Sequence, residues 1–389
     1  MSSVATDADR THFERALELA RRGRGRVSPN PTVGAVIVSA DEIVGEGFHA
    51  ELGGRHAEVA AIEDCRRRGA DPAGATLYVT LEPCAHHGRQ PPCTEAILAA
   101  KIARVVIGCD DPSEKASGRG PGTLRDEGVE VLFLDGAEAA AARREVQPFR
   151  KHARTGLPLV TLKSAVSLDG FTATASGDSR WISGPESRAI VHRWRADADA
   201  VAVGIGTVLA DDPLLTARDV VDPATQGAST AARLGYASQR QPARVVFDSA
   251  ARLPVDSALV GSLDTAPLVV FCAHGADRER VAALSAAGAE VIELAGDREH
   301  RLGAALAELG GRGISSLLVE GGAQLAGSLL AAGEVDRLCV FVAPLVLGGG
   351  RALAEGRAIE RIADAIEPLS VEWRPSGRDM LADARLREW

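Results

Sequence analysis

His56 and Glu58 stand two positions apart at the head of a helix-like segment, and that spacing constrains the fold of this chain more than any other feature. Residues two apart on a helix point to nearly opposite sides. The pair can serve one site only if the site lies beyond the helix end, so Ala57 to Cys65 is expected to be a helix with the site over its N-terminus. Pro83-Cys84 and Cys93 add two thiols, and Thr94-Glu-Ala-Ile-Leu-Ala-Ala opens a second helix directly after Cys93. Two helix N-termini then face one point, where their positive ends favour thiolate and hydroxide.

One imidazole, two thiolates and a nearby carboxylate are the parts of a zinc site that hydrolyses an exocyclic amine from a nucleobase. Zinc held by His56, Cys84 and Cys93 keeps a fourth position open and lowers the pKa of its water to about 7. Glu58 needs no bond to the metal. As general acid and base it takes the water proton, passes it to a ring nitrogen and helps protonate departing ammonia. The commoner pattern is Cys-x-x-Cys, whereas eight residues separate the thiols here, leaving room for His86, His87 and Arg89 to face a substrate.

A length of 389 residues suits two domains. The first part alternates helices with apolar strands at Val33 to Val38, Thr76 to Thr80 and Arg104 to Gly108, as an α/β/α sandwich does. After a charged helical stretch at 139 to 150, Leu159-Val-Thr-Leu-Lys-Ser-Ala165 begins a new pattern, which places one domain at 1–150 and another at 156–389. Strands are expected in the second domain at Ala200 to Gly204, Arg244 to Asp248, Leu268 to Cys272, Ser316 to Glu320 and Leu338 to Pro344. The net charge is -9 and aromatics make up 4%, which argues against nucleic-acid binding. The cluster Arg21-Arg-Gly-Arg-Gly-Arg26 is short enough to be a solvated helix end, with one arginine in reach of a substrate phosphate as the alternative. Cys65, Cys109, Cys272 and Cys339 lie in apolar surroundings without paired spacing and read as reduced cysteines of a cytoplasmic protein. No secretory signal and no membrane-spanning stretch is visible.

The second domain lacks Gly-x-Gly-x-x-Gly, since Gly204-Ile-Gly206 continues as Thr-Val-Leu. Leu317-Leu-Val-Glu-Gly-Gly-Ala-Gln-Leu-Ala-Gly327 reads instead as a strand ending in two glycines that open a helix. Such a turn either holds a diphosphate on backbone amides or is a plain tight connection.

Thr80-Leu-Glu-Pro-Cys-Ala-His-His-Gly-Arg-Gln-Pro-Pro-Cys93 closely resembles the deaminase module of the bifunctional riboflavin-biosynthesis deaminase/reductase family. The resemblance extends to Pro29-Asn-Pro-Thr-Val-Gly-Ala-Val36, Gly45-Glu-Gly-Phe-His49, Asp111-Pro112 and Gly118-Arg-Gly120. Lys163-Ser-Ala-Val-Ser-Leu-Asp-Gly170, Ser179-Arg-Trp-Ile182, Thr207-Val-Leu-Ala-Asp-Asp-Pro-Leu-Leu-Thr216 and Val319-Glu-Gly-Gly322 resemble its reductase module. The family's fold is a cytidine-deaminase-like α/β/α sandwich followed by a dihydrofolate-reductase-like α/β domain.

The resemblance implies NADPH against Ala165, Trp181, Thr207, Asp211, Ser249 and the turn Gly322, Ala323, Gln324, Leu325, Ala326, Gly327 and Ser328. It places the substrate, a pyrimidine ribotide, against Ser179, Arg195, Leu215, Arg218 and Glu320. Arg195 and Arg218 are suited to clamp a phosphate, and Lys163 and Asp211 are candidates for assisting protonation. Ser249 and Arg252 are candidates for reading the 2'-phosphate of the cofactor.

Three departures stand out: Ser113 where the family has Asn, Phe171 where it often has Lys or Arg, and Ala217 for a usual Val. Oligomeric state is left open. Alternatives are a nucleic-acid deaminase, a single-activity enzyme with one domain kept as scaffold, and a structural zinc protein with His86 or His87 as a fourth ligand.

Overall fold

The computed structural model describes residues 4–88, 90–114, 116–218, 241–356 and 359–389. They form two compact units, one of residues 1–156 together with Trp389 and one of residues 157–388.

The first unit begins with helix α1, Asp7–Arg21, whose start is fixed by a capping box. Thr6 Oγ1 accepts from the Asp9 amide at 3.1 Å, and the Thr6 amide donates to Asp9 Oδ2 at 2.9 Å. Strands β1 (Gly34–Ser39), β2 (Glu42–Phe48), β3 (Thr76–Val79), β4 (Arg104–Ile107) and β5 (Glu130–Phe133) form one sheet in the order β2-β1-β3-β4-β5. The β1 strand is antiparallel to both neighbours and β3, β4 and β5 run parallel. Alternation along β1 serves two cores: Ala35 and Ile37 pack with Ala57, Ala61 and Leu77, while Val36 and Val38 pack with Phe13, Leu17 and Tyr78. Helices therefore cover both faces of the sheet.

Helix α2, Ala57–Arg67, lies directly on β2 because that strand carries glycine where the helix approaches. A Cβ on Gly47 would stand 2.3 Å from the Ala61 nitrogen, and one on Gly45 would stand 2.4 Å from the Ala61 carbonyl oxygen. Gly45-Glu-Gly is thus a seat for α2. The unit is completed by α3 (Cys93–Ala99), α4 (Arg119–Asp126), α5 (Gly136–Glu145) and α6 (Gln147–Thr155).

In the second unit a nine-stranded sheet has the order β11-β10-β9-β8-β12-β6-β13-β16-β15. Its strands are β6 (Leu159–Val166), β8 (Ala200–Gly204), β9 (Ala243–Phe247), β10 (Leu268–Ala273), β11 (Glu290–Leu294), β12 (Ser316–Val319), β13 (Arg337–Val342), β15 (Ser370–Ser376) and β16 (Asp379–Arg385). The first seven in spatial order are parallel, and the β15–β16 hairpin closes one edge antiparallel. Phe171–Ala173 (β7) and Arg351–Ala352 (β14) pair separately, with Phe171 opposite Ala352. The parallel strands are apolar on both faces: Val160, Ala202 and Leu317 face one core, Val201, Val246 and Leu318 the other. Helices α7 (Pro185–Asp197) and α8 (Ile205–Asp211) flank β8 in sequence. Among the described residues no helix is long and apolar enough to cross a membrane.

Candidate functional site

In the first unit, His56 is the N-cap of α2, and Cys93 is the first residue of α3. The imidazole makes no capping bond, and its Nδ1 lies 3.1 Å from Cys93 Sγ and 3.6 Å from Cys84 Sγ. The three candidate ligand atoms lie within 4.8 Å of one another, and no other such group occurs among the described residues. The start of α3 holds Cys84 through the Cys93 amide, 3.4 Å from its sulfur, and the Thr94 amide, 3.2 Å from its carbonyl oxygen. The thiol of Cys93, with His56 and the Cys93 amide, holds Cys84 well below the ordinary thiol range, while the same contact and burial hold Cys93 above it. One thiolate, a facing imidazole and a second sulfur fit zinc.

Glu58 is buried in the first turn of α2. Burial, reinforced by the Cys84 sulfur, pushes its carboxyl up to about 7, where a group can both take and return a proton. His86 is half-buried with Nδ1 enclosed and unpaired, whereas His87 is exposed and lies 3.6 Å from Glu95. Neither belongs to the ligand cluster. Arg89 lies outside the described residues. Within the arginine cluster, Arg24 pairs with Glu145 at 2.5 Å and Arg21 approaches it at 3.7 Å, so these two tie the helix end to α5.

Two residues that sequence spacing does not connect to the cluster stand beside it. The buried His49 ring lies edge-on to His56 with centroids 5.6 Å apart, its Nδ1 is 2.9 Å from the Arg55 carbonyl, and Asn30 Nδ2 is 3.1 Å from its Nε2. The carbonyl fixes the proton on Nδ1, so Nε2 accepts from Asn30. Asn30 and His49 lie within sequence runs that resemble the family, which is the signal that points to them.

In the second unit a cavity of about 1560 Å³ opens at the carboxyl ends of the parallel strands, where open α/β sheets place ligands. It is lined by Lys163, Ala165, Ser179, Trp181, Arg195, Thr207, Asp211, Leu215, Arg218, Ser249 and Glu320, and by Gly322, Ala323, Gln324, Leu325 and Ser328 of the glycine turn. Ala326 and Gly327 do not reach it. Ala326 is buried in the core, and Gly327 packs against the Glu355 backbone.

Gly321 and Gly322 have φ of 121° and 90°, conformations that suit glycine, and they open the helix Ala323–Ala331 toward the cavity. The Thr207 hydroxyl stands over this turn. Such a turn fits a diphosphate, because its amides and the helix dipole point one way. Arg195 donates to both Glu320 oxygens and, at 3.0 Å, to the Thr216 carbonyl. Its fork is thus engaged within the protein, and Arg218, exposed and 3.3 Å from Thr216 Oγ1, is the freer cation. His192 also lines the cavity, with Nδ1 accepting from the Arg218 amide at 3.3 Å, a contact that no motif announces. Trp181 is 65% exposed and carries Arg188 over its ring at 4.7 Å. Arg301 Nη2 lies 3.5 Å from Ser249 Oγ, and Arg252 lies 4.0 Å from Asp248.

Comparison with known proteins follows the same division. The family described as "Cytidine and deoxycytidylate deaminase zinc-binding region" matches residues 6–109, and that described as "RibD C-terminal domain" matches residues 158–380. Over 378 residues the chain is 41% identical to "Riboflavin biosynthesis protein RibD" of Escherichia coli (strain K12), covering 96% of this chain and 98% of that protein. It is 40% identical to the protein of the same name from Bacillus amyloliquefaciens, covering 91% and 90%. The crystal structure of a diaminohydroxyphosphoribosylaminopyrimidine deaminase/5-amino-6-(5-phosphoribosylamino)uracil reductase from Thermotoga maritima aligns with a TM-score of 0.81 at 34% identity, covering 97% of this chain and 98% of that one.

Proposed function

This chain belongs to the RibD family and is a bifunctional enzyme of riboflavin biosynthesis with a deaminase and a reductase domain, and from that premise we propose its substrates, cofactor and residue roles. The first unit hydrolyses the 2-amino group of 2,5-diamino-6-(5-phosphoribosylamino)pyrimidin-4-one. The second reduces the ribosyl side chain of that product, giving 5-amino-6-(5-phosphoribitylamino)uracil.

The observation that carries this reading is the convergence of His56, Cys84 and Cys93 beside buried Glu58 in one unit. Zinc bound there supplies a Lewis acid that makes hydroxide available near neutral pH. Glu58, pushed up to about 7, would take one proton from the attacking water and give it to a ring nitrogen, then take a second from the added hydroxyl group and give it to the leaving amine. His49 and Asn30 form a rigid polar wall beside His56.

NADPH supplies the hydride of the second step. The Gly321–Gly322 turn holds its diphosphate, Trp181 offers a flat face, and Thr207 and Ser249 line the same cavity. Glu320, fixed by Arg195, accepts from the ring or sugar, Ser179 and Leu215 line its place, and Arg218 binds the phosphate. Lys163, its amine pushed below the ordinary value by burial, and Asp211 serve proton transfer around the opened sugar. We place the enzyme in the cytoplasm, where cysteines stay reduced, a setting that suits the unpaired Cys65, Cys109, Cys272 and Cys339.

The test is to incubate the zinc-loaded protein with the diaminopyrimidinone ribotide, with and without NADPH, and to follow ammonia and NADPH separately. Ammonia appears without NADPH, and NADPH is consumed only after deamination. Ammonia without later NADPH consumption would leave a single-activity enzyme, and the absence of both signals would refute the substrate assignment.

A further inference from the structure

Arg150 in α6 is a guanidinium with 2% of its surface exposed, so its donors must find acceptors inside the protein. It reaches in two directions. Nε donates to the Trp389 carbonyl at 2.5 Å, a residue 239 positions away in sequence that belongs to the same unit. Nη1 donates to the Asp110 carbonyl at 2.5 Å, and Nη2 to Asp110 Oδ2 at 3.2 Å. Trp389 is itself fixed on α6. Its amide donates to Gln147 Oε1 at 2.9 Å, its carbonyl accepts from Gln147 Nε2 at 3.2 Å, and Lys151 Nζ lies 5.3 Å from its ring centroid.

What Arg150 holds is the turn that follows β4, and that turn is tied to the metal-ligand segment. The Cys109 carbonyl accepts from the Glu82 amide at 3.0 Å, and the Asp111 amide donates to Glu82 Oε2 at 3.3 Å. Asp111 Oδ1 then accepts from the Ser113 amide at 2.8 Å, which shapes the turn. Glu82 stands two residues before Cys84. A run of hydrogen bonds thus leads from Trp389 through Arg150 and the backbone of the Asp110–Ser113 turn to the segment carrying Cys84.

We propose that Arg150 is a positioning residue for deamination, and that Trp389 is the backstop that keeps its guanidinium pressed on the Asp110–Ser113 turn. The inference rests on the reading of the first unit as a ribotide deaminase, in which Asp111-Pro112 resembles the family's substrate loop. Without Trp389 the buried Nε loses its carbonyl acceptor, and the guanidinium must shift or admit water. A turn that touches the ribotide equally before and during reaction changes KM when it loosens, and leaves kcat alone. Loss of one residue at position 389 therefore weakens the first reaction and spares the second.

The test compares the full chain with variants lacking Trp389 or carrying Arg150→Gln or Arg150→Lys. Ammonia release is measured against ribotide concentration, zinc content by metal analysis, and NADPH oxidation with the deaminated ribotide in the same preparations. In the Trp389 deletion, which removes one charged hydrogen bond, the KM for deamination rises by about tenfold, and in Arg150→Gln, which removes three, it rises at least as far. Arg150→Lys falls between these and the full chain, while kcat, zinc content and reduction are unchanged. An unchanged KM, a fall in kcat at constant KM, or a parallel loss of zinc or of reduction overturns the proposal. Absence of ammonia release from the full chain would overturn the deaminase reading itself, whatever the variants do.

Discussion

Arg195 and Glu320 hold each other in a two-pronged ion pair, 2.5 Å from Nε to Oε1 and 2.8 Å from Nη2 to Oε2, on the wall of the reductase cavity. Both side chains are nearly out of solvent. Removing one partner of a buried pair strands the other, so Glu320→Leu is expected to destabilise the second unit by about 3 to 5 kcal/mol. Urea unfolding checks this, and the double change with Arg195→Met is expected to cost less than the sum of the single changes.

The same pair sets a pH dependence. Burial alone would raise Glu320, but the Arg195 hydrogen bonds and charge override it and hold the carboxyl below its ordinary value. A carboxylate lowered on folding contributes its full stability above the unfolded value of about 4.3 and loses it as pH falls through the folded one. The stability difference between wild type and Glu320→Gln is expected to be flat from neutrality to about pH 5 and to shrink only below that. A difference that shrinks between pH 6 and 8 would contradict this, with unfolding midpoints across pH as the measurement.

Lys163 tests the reductase chemistry. Burial pushes its amine below the ordinary value, against the opposing pull of Glu320. Lys163→Met is expected to lower the kcat of reduction by about a hundredfold, and Lys163→Arg not to restore it, because a guanidinium does not give up its proton. Ammonia release should be unchanged in both.

Gly322, with φ of 90° and ψ of 98°, sits where a side chain is strained. Gly322→Ala is expected to distort the turn at a cost of about 1 to 3 kcal/mol and to weaken NADPH binding, read by titrating the quenching of tryptophan fluorescence. Wild-type affinity would remove the turn from the cofactor site.

Chelation separates the two halves. Protein stripped of zinc should release no ammonia yet still oxidise NADPH with the deaminated ribotide, and added zinc should restore deamination at one ion per chain. Loss of both activities on chelation would contradict two independent sites.

The convergence of His56, Cys84 and Cys93 was legible in the sequence because metal-binding chemistry admits few residue types, and because the His56-Ala-Glu58 spacing points to a site over a helix end. Parallel strands such as Ala200–Gly204 were legible as continuous apolar runs. Strand β15 was not, since its residues Ser370 to Pro375 are exposed and it contains Pro375. Strands β5 and β11 were hidden in the same way by short runs that mix Glu with apolar residues. The contacts Asn30–His49, Arg218–His192 and Arg150–Trp389 join residues from 19 to 239 positions apart, and no periodicity encodes them. The engagement of Arg195 by Glu320 was likewise invisible, because each residue alone reads as a ligand for substrate.

The most direct test of two activities acting in order is the Glu58→Gln protein, supplied in turn with the diaminopyrimidinone ribotide and with its deaminated product. The account predicts normal zinc content, ammonia release lowered by about a hundredfold or more, NADPH oxidation from the first compound lowered to match, and full oxidation from the second. Brisk NADPH oxidation from the first compound, or none from the second, would contradict it.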